Sequence, residues 1–388
     1  MSVITMDTER IKKIKDMAEE VRRICSGGRY RDLSVFWERF HNQEQVKRVP
    51  VIIEFDPLWL AGHLGFDYKE LVMGNSPETL IEFQLKQKIF HHRYIPDDTI
   101  IKPEISTRPT GIPITDPFGG RYEYHFNTGG WHVLPVVSER SDLGKIPLPH
   151  FNSDGYSLRK KETLNRFNDI LEGEIMVNYV DPVEEGWFGP LSSAMGVYGM
   201  HNFLTDLKDE PKFIQELMQK VTMAKVEYMK ERNKIMAEEE RNVFWMDYGL
   251  GEDEVDCNLI SPRDYEEFVF PYDRMEAETY LRCYYHSCGN LTPVLGLIGT
   301  LPNLYKVEIS PWTDLKTAVQ KLPAHVILEK TILPNRDTFE ASPADIKKSV
   351  TDIISIAYGR LLEIKCDAIM DGNLDRILKW LDIVRQCC

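Results

Sequence analysis

Residues 281–331 read "LRCYYHSCGNLTPVLGLIGTLPNLYKVEISPWTDLKTAVQKLPAHVILEKT". Three apolar runs recur in this stretch, "CYYHSCG" (283–289), "LYKVEIS" (304–310) and "HVILEKT" (325–331), each bounded by turn-forming residues. Working outward adds "VPVIIEF" (49–55), "DTIIKPEI" (98–105), "EIMVNYV" (174–180), "NVFWMDYG" (242–249) and "RLLEIKC" (360–366). Between them lie helical segments such as "EPKFIQELMQKVTMAKVEYMKERNKIMAEEE" and "SPADIKKSVTDIISIAYG", opened by polar or proline start signals. Strands covered by helices on one side and by barrel side chains on the other read as near-continuous apolar runs, as these do. The pattern predicts an α/β fold, a (β/α)8 TIM barrel over 49–388 preceded by an N-terminal helical extension over 1–48. A doubly wound open sheet is the alternative. Residues 107–151, rich in Gly and Pro and carrying the alternating "RYEYHF", break the repeat and predict a β-hairpin insertion.

Composition narrows the function classes. The chain has 388 residues with 43% hydrophobic content, enough for a large core. A formal net charge of −14 opposes nucleic-acid phosphates and anionic membrane surfaces, so neither is expected as a partner. The charged, helix-patterned start "MSVITMDTERIKKIKDMAEEVRRICSGG" has neither the apolar core nor the cleavage site of a secretory signal, and no apolar run reaches membrane-span length. A cytoplasmic location is the expectation. The seven cysteines (Cys25, Cys257, Cys283, Cys288, Cys366, Cys387 and Cys388) are irregularly spaced and expected to stay reduced, Cys25, Cys257 and Cys283 as small buried hydrophobes and Cys387 and Cys388 as frayed residues.

In a barrel, chemistry sits at the carboxyl ends of the strands. His286 and Cys288, two residues apart, share a face at such an end, and imidazole nitrogen with thiolate sulfur is a donor pair that zinc prefers. A core histidine bonded to a carbonyl beside a buried thiol is the alternative for this pair. Cys366 ends the last strand and returns to the same mouth, which makes three candidate ligands and leaves an open position. Glu308, ending "LYKVEIS", is placed to fill that position until substrate displaces it; surface exposure is its alternative. Asp247 and Tyr248 in "FWMDYG", and Glu329 in "VILEKT", are further strand-end groups for substrate contact or for orienting His286, or else caps and loop ion pairs. Trp59, Trp187 and Trp312 are candidates for an apolar pocket or for the core, and His91 and His92 fit the carboxyl end of a helix.

The order "FWERF" then "RVPV", followed by "GPLSSAMGVYGMHNFLTDLKDEPKFIQELM", "ISPRDYEEFVFPYDRM", "HSCGN" and "GRLLEIKCD", resembles the uroporphyrinogen decarboxylase superfamily over nearly the whole chain. "HSCGN" with a late strand-end cysteine is similar to its zinc-dependent corrinoid methyltransferase branch, of the methylcobalamin:coenzyme M type. That resemblance implies a (β/α)8 barrel with His286, Cys288 and Cys366 as zinc ligands and Glu308 as a displaceable fourth. "EIKCDAIMDG" departs from the branch in lacking a Pro-Gly-Cys turn. The decarboxylase branch carries arginines near its N-terminus for a polycarboxylated tetrapyrrole, whereas "VIIEFDPLWLAGHLGFD" here has Glu54 and Asp56 and no arginine.

The expected function is therefore methyl transfer between a corrinoid and a thiol or methylated small molecule, with zinc as cofactor and the cobalamin carried by a partner protein. Arg108, Arg121 and Arg140 on the insertion are the candidate docking groups for that acidic-surface encounter, or simply solvated charges. A uroporphyrinogen decarboxylase-like decarboxylase and a non-enzymatic metal-binding barrel are the rival readings.

Overall fold

The computed structural model describes residues 8–44, 46–74, 76–107, 117–151, 154–178, 183, 187–235 and 249–388, with backbone alone for 154–160 and 235. Its strands are β1 (Val51–Phe55), β2 (Glu104–Ser106), β3 (Arg121–His125), β4 (Gly130–Leu134), β5 (Met176–Asn178), β6 (Gly249–Gly251), β7 (Cys283–His286), β8 (Leu304–Ile309), β9 (Ile327–Ile332) and β10 (Leu362–Ile369). Six form one parallel sheet in the order β1-β10-β9-β8-β7-β6; β2 and β5 pair in parallel, and β3 and β4 form the antiparallel hairpin of the insertion. The first strand lying beside the last is the neighbour relation of a (β/α)8 barrel. The parallel strands follow the expected apolar runs in order. The second is shorter and later than 98–105, at Glu104–Ser106, and of the fourth, expected at 242–249, the described part is Gly249–Gly251, residues 242–248 lying outside the described residues.

Among the described residues no ladder joins β1 to β2 or β5 to β6, so strand pairing does not complete a ring. Buried backbone amides still need acceptors. On β1, the N–H groups of Val51 and Ile53 donate to the carboxylates of Asp98 and Asp97, both at 2.9 Å, and Asp98 N–H returns to Val51 carbonyl at 2.9 Å. Near β6, Gly189 N–H donates to Gly251 carbonyl at 2.9 Å. Asp97 also accepts from His91 Nε2 at 2.8 Å, and Asp98 from Arg48 Nη2 at 2.6 Å. His91 is thus bound to a buried carboxylate, a stronger constraint than the helix end it occupies.

Period-two alternation divides the six-stranded sheet cleanly. One face carries Ile53, Leu250, Cys283, Tyr285, Val307, Ile309, Leu328, Ile364 and Cys366, all buried and nearly all apolar, and the helices pack there. The opposite face carries Glu54, Tyr284, His286, Lys306, Glu308, Glu329, Glu363 and Lys365, and it forms the interior. In β10 one extra residue, Ala368 at φ 54°, shifts the register with β1 from Ile53↔Cys366 to Phe55↔Ile369.

The N-terminal helices Thr8–Cys25 and Gly28–His41 lie against this body. Ile14, Ala18 and Val21 form a fully buried stripe at helical spacing, and Arg10 pairs with Glu82 of the helix Pro77–Tyr94 at 3.0 Å. Trp37 Nε1 donates to the carbonyl of Asp98 at 2.7 Å. Among the described residues no helix is long and apolar enough to cross a membrane.

Behind β7 lies a second buried carboxylate cluster. Asp273, on the helix Phe270–Ala277, accepts from the hydroxyls of Tyr265 (2.8 Å) and Tyr285 (3.1 Å). Burial pushes its carboxyl up to about 7, against hydrogen bonds with Glu252, Tyr265 and Tyr285 that favour the anion. The folded state therefore holds a proton that the unfolded chain releases near its ordinary value of about 4. Stability contributed by this group is complete below about pH 4 and declines as pH rises toward 7. Asp273→Asn, which keeps an acceptor for the tyrosines, is expected to flatten the fall of melting temperature between pH 4 and 7. An unchanged slope in thermal melts would show that Asp273 does not carry it.

Candidate metal centre and adjoining cavity

β7 places His286 on the interior face because Cys283 and Tyr285 take the apolar face. The chain then turns through Ser287, whose hydroxyl donates to Val255 carbonyl at 2.8 Å and accepts from Gly289 N–H at 3.0 Å. Gly289 lies so close to the preceding loop that a Cβ there would fall 2.6 Å from Asp256 Cβ and 2.6 Å from Val255 carbonyl oxygen. Its own carbonyl accepts from Ser310 Oγ (2.6 Å) and Thr313 Oγ1 (3.1 Å). "HSCGN" is thereby clamped between the loops after β6 and β8.

The loop after β6 brings the third group. Gly251 pairs with His286 in register, and Glu252 N–H donates to His286 carbonyl at 2.9 Å, which places Asp253 beside the imidazole. Asp253 Oδ1 lies 2.8 Å from His286 Nε2, while Cys288 Sγ lies 3.6 Å from Asp253 Oδ1 and 3.8 Å from Nε2. Asp253, His286 and Cys288 present one oxygen, one nitrogen and one sulfur, all within 4.8 Å of one another. This donor set fits a zinc ion with an open coordination position.

On the other edge of the ring, His286 Nδ1 forms an ion pair with Glu308 Oε2, whose second oxygen accepts from Thr331 Oγ1 at 2.8 Å. Burial works against the charged imidazole, but the hydrogen bonds with Asp253, Cys288 and Glu308 outweigh it and raise His286 well above its ordinary value. For Cys288 the hydrogen bond with His286 favours the thiolate. Burial and the charge of Asp253 prevail, and the thiol stands above its ordinary value.

Below this end of the sheet the interior is laced with charge. Tyr284 Oη donates to Glu329 Oε1 at 2.7 Å, and Lys306 Nζ meets Glu329 Oε2 at 2.5 Å. Lys365 Nζ lies 3.0 Å from Glu54 and 3.2 Å from Asp367. Burial alone would raise Glu329; the charges of Lys306 and Lys365 override it and hold the carboxyl at about 2.

Several expected residues fall elsewhere. Cys366 shares its face with Ile364 and is buried against Thr338 Oγ1 at 3.6 Å on the helical side, because Lys365 and Asp367 on either side of it take the interior. The structure does not bring it to His286 and Cys288, and burial pushes its thiol up to about 12. Glu308 meets the far edge of the imidazole rather than the side where Asp253 and Cys288 converge. Glu329 belongs to the Lys306–Tyr284 network. Asp247, Tyr248 and Arg108 lie outside the described residues. Trp59 stacks between Phe55 and His63, Trp312 is exposed, and Arg140 pairs with Glu216. Asp56 caps the helix Pro57–Leu64 through Leu58 N–H at 2.8 Å.

Sequence reading does not single out Asp253. Its signal is the run "GLGEDE": Gly249 belongs to the strand because a Cβ would stand 2.6 Å from Tyr284 carbonyl oxygen, so the strand end falls later than the apolar run suggests.

Asp253 also closes one end of a cavity of about 460 Å³, between the β3–β4 hairpin and the helix Pro190–Tyr198. Its walls include Phe118, Tyr122, Trp131, Trp187 and Phe188, with Glu254 next to Asp253. The hairpin is tied down by Val136 and Val137 N–H groups donating to Val197 carbonyl at 2.9 and 3.1 Å. Buried Glu252 accepts from Leu191 and Ser192 N–H, both at 2.9 Å, and so fixes the start of the helix. Buried Lys225 donates to the carbonyls of Trp187 (2.6 Å) and Phe188 (3.1 Å) and pairs with Glu276 at 2.6 Å.

No curated protein matches the chain by sequence. A solved structure described as a methyltransferase from Methanosarcina mazei is similar in fold, with a TM-score of 0.63 at 13% identity, over 91% of this chain and 98% of that one. The family profile described as Uroporphyrinogen decarboxylase (URO-D) matches residues 162–386, which include β6 to β10 and every residue of the donor cluster. The chain belongs to the uroporphyrinogen decarboxylase family.

Proposed function

We propose that the protein is a zinc-dependent methyltransferase that moves a methyl group between a corrinoid carried by a partner protein and a thiol or methylated small molecule. The observation that carries the reading is the oxygen, nitrogen and sulfur donor set of Asp253, His286 and Cys288 at one end of an aromatic cavity. The methyltransferase description of a structure with a similar fold supports it.

The three donors would hold the ion, and the chemistry it supplies when bound is that of a Lewis acid that keeps a thiol as thiolate or polarises a methylated leaving group. Glu308 has a separate task. By pairing with Nδ1 it holds the ring so that Nε2 faces Asp253 and Cys288, the arrangement that makes histidine a competent ligand. Thr331 in turn orients Glu308 at 2.8 Å. Gly289 and Ser287 hold Cys288 in place by clamping the turn between its neighbouring loops. The cavity sets aromatic and apolar walls beside the face of the cluster that Asp253 presents to it. Arg121 on the hairpin is exposed and available to a corrinoid protein, whereas Arg140 is engaged with Glu216.

Purified without chelator, the protein is expected to carry about one zinc per chain by plasma emission spectroscopy. His286→Ala and Cys288→Ala are expected to lose most of it while melting cooperatively; Asp253→Asn should weaken binding by at least about tenfold. Cys366→Ala should retain the metal. Zinc lost from Cys366→Ala but kept in Asp253→Asn would make Cys366 the third ligand in place of Asp253 and overturn this donor set.

Methyl exchange with methylcobalamin is the functional test, run with a panel of thiols as acceptors and, in the reverse direction, with reduced cobalamin and methylated donors. Zinc-replete protein should transfer the methyl group and Cys288→Ala should fall to background. Absence of exchange across the panel in both directions would refute the methyltransferase reading.

A further inference from the structure

We infer that the cavity between the hairpin and the helix Pro190–Tyr198 binds a methylated ammonium cation. The wall is aromatic on several sides: Trp131 packs against Tyr122 and Phe188 with centroids 5.3 and 5.5 Å apart, and Trp187 against Phe118 at 5.5 Å. Aromatic faces attract cations whose charge is spread over methyl groups, tryptophan most strongly. The volume, about 460 Å³, lies within the range of small-molecule sites.

Charge selects the sign of the ligand. Asp253 and Glu254 both line the cavity, and among the described residues that line it there is no lysine or arginine. His132, the one imidazole there, is 3.3 Å from Glu123. Glu254 Oε2 is buried and has no hydrogen-bond partner, a costly arrangement for a carboxylate that a cation in the cavity would relieve. An anionic ligand such as a sulfonate or carboxylate would meet Asp253 and Glu254 with no lysine or arginine among the described lining residues, and with zinc bound by Asp253 it would still face Glu254. A small, strongly hydrated cation would have to shed its water against rings. A tertiary or quaternary methylammonium keeps the charge and tolerates the apolar wall.

Reading this cation as the methyl-bearing reactant rests on the methyltransferase proposal; its binding does not. Choline, its neutral isostere 3,3-dimethylbutan-1-ol and the anion 3,3-dimethylbutanoate would be titrated into the full chain by calorimetry, with zinc measured on the same samples. Choline is expected to bind at least about tenfold tighter than the isostere, and the anion weakest. Glu254→Gln should shrink the choline preference to about threefold or less without changing zinc content. Trp131→Leu, which keeps the wall apolar, should weaken choline more than the isostere. Equal or tighter binding of the isostere or the anion, or an undiminished preference in both folded variants, would overturn the inference. Cation selectivity in a zinc-free, transfer-inactive protein would instead leave the cavity assignment standing and remove the methyltransferase reading.

Discussion

His286 is held between two carboxylates that reach it from different sides: Asp253 follows β6, and Glu308 ends β8. That sandwich exists only while three adjacent strands keep one register. Gly251 must stand level with His286, and Glu308 must lie on the same face one strand further on. A slip of one residue in any of them would turn the side chain to the helical layer. Gly249 of β6 and Gly289 hold the register from the backbone side, since side chains there would collide with Tyr284, Val255 or Asp256.

The same alternation explains why so much charge can be buried in the barrel. Lys306, Glu329, Glu363 and Lys365 lie on neighbouring strands with opposite charges adjacent, and Tyr284 satisfies a further oxygen of Glu329. Each ion by itself would cost several kcal/mol to desolvate, in the order of magnitude known for buried charges, so the set is tolerable only as a connected network. Its two lysines lie with Glu54, Glu329, Glu363 and Asp367 and are committed to them. Asp253, Glu308 and Cys288 gather instead around a single imidazole. A site with that balance is suited to a metal ion.

The strand order was legible because buried parallel strands are apolar on both counts, and β1, β8, β9 and β10 fall where their runs of Val, Ile and Leu lie. His286 and Cys288 were legible for the same reason, being the polar end of such a run. Facing was harder. "LLEIKCD" alternates apolar and charged residues, and either set can face a barrel interior; only the ion pairs of Lys365 with Glu54 and Asp367 reveal that the charged set does, which sends Cys366 to the helices. Asp253 was hidden because the described part of its strand is Gly-Leu-Gly, where Gly249 serves close backbone approach to β7 and not side-chain propensity. Asp97 and Asp98 were hidden as well, for nothing local marks a carboxylate that stands in for a missing strand on β1.

The hairpin insertion changes what the barrel can hold. The sheet supplies acids and the imidazole of His286 near Asp253; Tyr122 and Trp131 on β3 and β4 supply an aromatic wall. Because alternate residues of a hairpin point to opposite sides, Tyr122 and Trp131 can line the cavity while Arg121 and Glu123 remain exposed. Hydrogen bonds from Val136 and Val137 to Val197 join the two halves, and Lys225 and Glu252 anchor the 187–192 segment between them. Glu252 sits next in sequence to Asp253 and bonds to the helix that forms the cavity's other side. Glu252 therefore ties the helix that forms one side of the cavity to the loop that carries Asp253, so the wall and the donor cluster share one anchor in the backbone.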